Sequence, residues 1–428
     1  PRAPMPDSVD ALEWLLASAP AAEFESRHWE RAPLLIRRGS EAHYDALDSG
    51  AGAAPEQIPL RSTGARRLFS HKRLLELLAE EQLPYDGTMR IVRSDAGEDD
   101  GRVEAEPPTD GVASAAWVGA RLDEGYTVQL FRPQLYCDRL WSLLAALECR
   151  FDCLVGASVY LTPRGCQGLA PHHDDVEVFI LQTEGSKHWR VYAPHAGAEL
   201  PARPSADLQW SALGPTVLEA TLEPGDLLYL PRGFVHEASC GKRRSTHITI
   251  STYQRHAYRD LLSAMLPSLL NSAASASRGM RCGLPLGFLR RNGSHRARAA
   301  GAAGSAAGGA VGGAAEGGTG GGAAGGCAVA KEVLRLLGLL LPAATPAAID
   351  AAADRLATDF FINRLPPPVL AQRAGSPPAG AAEVQLRLCH SQYRRLVYVD
   401  PPGGGGGSSG SGGAGGESQI RMPDHNPE

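Results

Sequence analysis

Residues 168–192 read GLAPHHDDVEVFILQTEGSKHWRVY, and the fold turns on how this stretch alternates. In an extended strand successive side chains face opposite sides, so one parity points into a barrel and the other away. Downstream of the paired histidines the even positions are Val176, Val178 and Ile180, whereas the odd positions begin His173, Asp175 and Glu177. The even face reads as the apolar inner one, and it carries His172 and Asp174. A bulge at the histidine pair would reverse this locally. After a turn at Glu184-Gly185-Ser186, the returning strand puts Lys187, Trp189 and Val191 on one face and His188, Arg190 and Tyr192 on the other.

A second segment, EPGDLLYLPRGFVHEA at 223–238, begins with a tight turn at Pro224-Gly225-Asp226. Pro231 and Gly233 then shape a bend that presents His236. A lone histidine on a strand is usually a surface group or a satisfied core group. The two segments together supply His-x-Asp plus a distant His, a 2-His-1-carboxylate set that suits Fe(II) and leaves three coordination positions open. Lys187 shares the more apolar face of its strand and there needs an anion, which a co-substrate with a distal carboxylate would provide. A solvated lysine at a hairpin end is the other reading. His247, Thr249 and Ser251 form a polar stripe opposite Ile248 and Ile250, lining a cavity or facing solvent. Trp189 and Phe179 read as pocket walls or as ordinary core.

Outward from these segments, residues 115–255 hold short β-rich runs (YTVQLF, CLVGASVYLTP, VEVFILQ, HWRVYAP, DLLYLP, THITISTYQ) separated by turn residues, the pattern of an all-β barrel or sandwich. Residues 9–19 and 70–83 read as amphipathic helices, and 94–113 as a polar loop. Helical patterning resumes at Tyr258 and again in AKEVLRLLGLLLP and PAAIDAAADRLATDFFINRLPPP, around an Ala/Gly-rich stretch at 299–327 that reads as a flexible insert. The Gly-rich end, 401–428, reads as a disordered tail.

The balance of 42 Lys and Arg against 47 Asp and Glu, a net charge of -5, argues against broad binding to a phosphate backbone, and no direct nucleic-acid site is expected. The 8 cysteines form no C-x-x-C pair and read as reduced thiols. The apolar patch near the N-terminus is interrupted by Asp10 and Glu13, which fits an amphipathic helix better than a signal peptide. The most apolar run, VLRLLGLLLPAA, is too short to span a bilayer and contains Arg335, so no membrane segment is expected.

The segments APHHDDVEVFILQTEGSKHWRVY, LEPGDLLYLPRGFVHEA and HITISTYQR resemble the JmjC ribosomal oxygenases. YTVQLFRPQLY and the run from DDVEVFILQ to KHW lean toward the Mina branch. The resemblance is strong over 115–258, with weaker echoes at FESRHWERAPLLIRR, RCGLPLGFLRR and DRLATDFFINRLPPP. It implies a mainly β core, a double-stranded β-helix (cupin or JmjC barrel) over 115–255, flanked by an N-terminal α/β cap over 1–114. A helical dimerisation region would follow in two parts, 256–298 and 328–368, and then a partial winged-helix-like segment at 369–400.

The same resemblance implies Fe(II) held by His172, Asp174 and His236, with Lys187 binding the distal carboxylate of 2-oxoglutarate and O2 as the oxidant. It maps substrate contacts to Gln129, Tyr160 and Ser251. The implied reaction is hydroxylation of a histidine side chain of a ribosomal protein, a basic partner suited to a net-acidic chain. Demethylation of N-methyl-lysine on a histone tail is an alternative, and a non-catalytic dimeric scaffold is an alternative of another class. A homodimer in the nucleus or nucleolus is expected. The sequence departs from the family at His173, usually Tyr, at Ser158, usually Asn, and in the short stretch left for a winged helix.

Overall fold

The computed structural model describes residues 11–17, 19–39, 43–44, 69–94, 102–254, 256–286, 288 and 331–363. The insert at 299–327, the segment at 369–400 and the tail at 401–428 lie outside the described residues.

The alternating runs become strands. β1 (Leu34–Ile36), β2 (Met89–Ser94), β3 (Arg102–Glu104), β4 (Thr127–Phe131), β5 (Leu154–Thr162), β6 (Glu177–Gly185), β9 (Leu227–Leu230) and β11 (Ser245–Gln254) form an antiparallel sheet in the order β1-β9-β6-β11-β5-β4-β2-β3. β7 (Lys187–Tyr192), β8 (Thr216–Leu222) and β10 (Val235–Ser239) form a smaller sheet in the order β10-β7-β8. Their facing side chains, Val178, Ile180, Leu228 and Leu230 from the large sheet and Trp189, Val191 and Leu222 from the small one, make one apolar cluster. This is the interior of a double-stranded β-helix, a cupin-like barrel.

Turn chemistry sets the register. Gly185 turns β6 into β7 at φ +64, and a Cβ there would lie 1.8 Å from the Arg244 carbonyl oxygen, so glycine alone fits. At the Pro224-Gly225-Asp226 turn, the Asp226 N–H donates to the Glu223 carbonyl (2.9 Å). The buried Asp226 carboxylate also accepts from Arg37 Nη1 (2.7 Å) and from the Arg38 backbone N–H (3.1 Å), fastening the chain after β1 to the barrel.

The outer face of the large sheet is covered by α1 (Ala11–Leu16), α2 (Ala21–Arg27), α3 (His71–Glu80), α4 (Ala115–Asp123) and α5 (Asp138–Phe151), whose apolar sides join Val159, Phe179, Leu181, Tyr229, Ile248 and Ile250 in a second cluster. α3 and α4 start at serine caps, with Ser70 Oγ accepting from Arg73 N (3.1 Å) and Ser114 Oγ from Trp117 N (3.2 Å).

Three sequence expectations change here. Residues 1–114 do more than flank the barrel, because β1, β2 and β3 pair into the large sheet. The polar loop at 94–113 contains β3, which pairs with β2 through Val103 opposite Arg93. Phe179 is no pocket wall: it points outward, its ring 5.8 Å from Phe24 and 5.0 Å from Tyr229.

A second compact unit, from Ala257 to Asp359 among the described residues, contains α6 (Tyr258–Ala276) and most of α7 (Pro346–Asn363) around Met265, Leu269, Ala273, Leu340 and Ala352. On α6 the residues Tyr258, Leu262, Leu266 and Leu270 recur every fourth position and stay exposed. No single described helix is long and apolar enough to cross a membrane.

Candidate metal centre

The chain from Ala170 to Asp174 runs beside β10, with His172 and His236 bridged by reciprocal backbone hydrogen bonds of 3.2 and 2.8 Å. That bridge sets the two imidazoles side by side, ring centroids 4.6 Å apart. Asp174 follows, its backbone carbonyl held by the Gly233 N–H at 3.0 Å. One ligand atom from each of His172, Asp174 and His236 can be chosen so that all lie within 4.8 Å of one another. His236 therefore sits in strand β10 and not merely on a bend, and the even register of the His-x-Asp pair is the one that converges.

The tautomers suit a metal. His172 Nδ1 lies 2.8 Å from the Ala170 carbonyl and His236 Nδ1 lies 3.0 Å from the Phe234 carbonyl. A carbonyl only accepts, so each Nδ1 carries the proton and each Nε2 lone pair is left for a ligand. Burial, and then the neighbouring His172, hold His236 down at about 4, which keeps it a neutral donor. Asp174 stays partly open, with 32% of its side chain exposed.

Lys187 begins β7 on the interior side. It is 5% exposed, its Nζ donates to Thr162 Oγ1 at 2.9 Å, and burial lowers its pKa to about 8. Among the described residues no carboxylate pairs with it. The ring of Trp189 spans the gap, 5.8 Å from Lys187 Nζ and 6.0 Å from the His236 ring centroid.

A row of interior side chains crosses three strands, since Gln129 on β4 opposes Tyr160 on β5, which opposes His247 on β11. Gln129 Nε2 donates to the Tyr160 hydroxyl at 2.7 Å, and the Tyr160 ring stacks on His247 at 4.9 Å and 6°. Burial, and next the charge of Asp174, push the Tyr160 phenol up. Ser251 lies on the same face opposite Gly156 and Val178, and Ser158 opposite Thr249, so the polar stripe of β11 faces inward.

Sequence reasoning placed His247 in a polar stripe that lines a cavity or faces solvent, without assigning it to the site, and it opposes Tyr160. It is 2% exposed, held well below the ordinary imidazole pKa by burial and then by Lys187, and its Nδ1 has no hydrogen-bond partner. Trp189 Nε1 is likewise buried without a partner. Two orphaned ring nitrogens, together with a lysine that meets a hydroxyl but no carboxylate and three convergent ligands, fit a bound polar anion next to a metal, because most buried polar groups are satisfied. The alternation of His247 with Thr249 and Ser251 was the available signal.

Residues 129–261 match the JmjC domain family. Ribosomal oxygenase 1 of Gallus gallus is 40% identical over 284 residues, 66% of this chain and 43% of that protein. Ribosomal oxygenase 1 of Homo sapiens is 37% identical, over 65% of this chain and 40% of that protein. The Aedes aegypti protein named bifunctional lysine-specific demethylase and histidyl-hydroxylase NO66 is 33% identical over the same shares, 65% and 40%. None of the three carries the Mina name toward which the sequence leans. This chain thus spans about two fifths of the length of the curated relatives it matches. The X-ray structure of Escherichia coli ycfD aligns with a TM-score of 0.45 at 16% identity, covering 79% of this chain and 72% of that one. The chain carries a JmjC domain and is related in sequence to the ribosomal oxygenases.

Proposed function

We propose that the protein is an Fe(II)- and 2-oxoglutarate-dependent oxygenase that hydroxylates a histidine side chain of a ribosomal protein. The observation that carries this reading is the meeting of three convergent ligands with a buried, carboxylate-free Lys187 across one Trp189 ring. The names of the relatives, ribosomal oxygenase and histidyl-hydroxylase, support the substrate class.

His172, Asp174 and His236 would hold Fe(II), the two histidines through Nε2. Bound Fe(II), with 2-oxoglutarate and O2, supplies the oxidising power that turns a C–H bond into C–OH while 2-oxoglutarate becomes succinate and CO2. The chain's part is orientation and exclusion of water. Lys187 would pair with the distal carboxylate, recovering the charge that burial disfavours. Trp189 and the apolar cluster around Val178 and Ile180 keep that space dry. The Gln129–Tyr160 pair and Ser251 would position the substrate imidazole, with Tyr160 kept protonated and able to donate.

The exposed row Tyr258, Leu262, Leu266 and Leu270 supports a homodimer through α6, since monomers seldom leave such a row in water. Leu266→Glu should then shift the sedimentation coefficient to that of a monomer.

The test of the reaction is mass spectrometry of ribosomal-protein and histone peptides after incubation with the protein, Fe(II), 2-oxoglutarate and O2, with His172→Ala as control. The expected result is one added oxygen on a histidine, absent in the control. Loss of lysine methyl groups would move the assignment to demethylation, the other activity in the mosquito relative's name. No change, with no succinate formed, would leave a non-catalytic scaffold.

A further inference from the structure

We infer that Arg102 and Asp207 form a clasp that positions the metal-bearing segment 171–174. The inference deepens the metal reading above and rests on it. Residues 171–174 belong to no regular strand, so their place depends on what holds their two edges. One edge is held by β10 through the His172–His236 bridge. The other is held by residues 205–208, a strap within the connection between β7 and β8. There the His173 N–H donates to Ser205 Oγ (2.9 Å), the Ser205 N–H donates to the His173 carbonyl (3.0 Å), and the Leu208 N–H donates to the Pro171 carbonyl (2.8 Å). These three bonds bracket His172.

A strap is only as firm as its own anchorage. Most of residues 202–212 are exposed on their outer side, as are Arg203 and Trp210. Asp207, between the two strap residues that bond to 171–173, reaches across to Arg102 on β3 with Nη2 and Oδ1 2.7 Å apart. Both side chains are 23% exposed, so the pair is screened less than a surface ion pair. Among the described residues this is the ion pair that ties the strap to the large sheet. Arg102 also acts on the Tyr160 phenol, as does Asp174, which puts the clasp beside the same mouth.

Arg102 stands on the short β3, an edge strand in a stretch otherwise read as loop, where pairing with β2 fixes its backbone. It carries the guanidinium that spans 105 residues of sequence to the strap. Arg102 and Asp207 lie outside the convergent set of His172, Asp174 and His236; they are positioning residues acting through the strap on His172 and Asp174.

The experiment is a double-variant cycle of Arg102→Gln, Asp207→Asn and the pair together in the full chain, with Arg102→Lys as the conservative variant. The first readout is amide hydrogen exchange of the metal-free protein, which does not depend on the metal reading. Faster exchange in 172–174 and 205–208, with the barrel strands and overall melting unchanged, is expected. The second is Co(II) affinity by optical titration, with His172→Ala as the site control. Each single variant should weaken Co(II) about 10-fold, the lower end for groups standing behind metal ligands. The double variant should match the singles within about 2-fold, the mark of one shared interaction, and Arg102→Lys should restore most of the affinity. Unchanged exchange, or additive losses in the double variant, would overturn the clasp while leaving the metal site intact. If the wild type binds no more Co(II) than His172→Ala, the metal reading fails and the positioning role fails with it.

Discussion

The two sides of the large sheet bury charged groups on different terms. On the outer face Glu177 is fully buried, yet it accepts from the Tyr229 hydroxyl and the Arg232 backbone N–H, while Arg232 pairs with Glu30. Around it the rings of Phe24, Trp29, Phe151, Phe179 and Tyr229 pack edge to face, stacked or tilted. Against the inner face, Lys187 of the small sheet meets the Thr162 hydroxyl and, among the described residues, no carboxylate, while His247 Nδ1 and Trp189 Nε1 are buried without a hydrogen-bond partner. Burial alone thus does not mark a site. Trp14 Nε1 in the outer layer is incomplete too, so an incomplete group marks a site only where it stands beside converging ligands and a cation that no carboxylate meets.

The comparison can be broken at several points. Removing a ligand should have the largest effect: Asp174→Ala is expected to abolish succinate formation, a loss of roughly 10³-fold or more, while leaving the melting temperature of the metal-free protein unchanged. Phe179→Ala opens a cavity in the outer layer and should cost about 3–5 kcal/mol in denaturant unfolding, with the affinity of the surviving folded protein for 2-oxoglutarate retained. If that substitution instead abolishes co-substrate binding in folded protein, the separation of the two faces is wrong.

Lys187→Ala should raise the KM for 2-oxoglutarate by roughly 10- to 150-fold, the value of about 1.5–3 kcal/mol for a hydrogen bond to a charged group. The lysine also has a pH signature. Its pKa is lowered in the folded state to about 8 from 10.5, so between those values the unfolded chain binds the extra proton. Stability of the ligand-free protein should rise as pH rises through that window, and Lys187→Met should flatten the slope in thermal unfolding.

Glu177 gives a signal of the opposite sign. Burial raises its pKa to about 7 from 4.5, so the folded state holds the proton longer and stability should fall as pH rises between those values. Glu177→Gln should remove that slope. A Glu177 slope of the same sign as the lysine's would contradict its assignment as a buried acid.

The strands with strong alternation were legible, as were His172, Asp174, His236 and Lys187, because period-two patterning and paired turn residues act locally. Apolar alternation does not by itself assign the inner parity of β6. Both faces of β6 are apolar, with Val178 and Ile180 inward and Phe179 and Leu181 outward under helices. The sheet is covered on both sides, so apolarity does not separate the faces. β8 went unread because it alternates weakly, with Val217 48% exposed. β3 hid in a polar stretch because it is three residues long and pairs at the sheet edge with β2. His247 hid because an orphaned ring nitrogen appears only when three strands are placed side by side.

The most direct test of the central claim is calorimetric titration of 2-oxoglutarate into the metal-free protein, the Co(II)-loaded protein and Co(II)-loaded Lys187→Ala. The account predicts binding that needs the metal and weakens by roughly 10- to 150-fold without the lysine, since both ends of one molecule must be met. Equal affinity in all three would contradict it, because the incomplete groups of the barrel interior would then not be the site of the co-substrate.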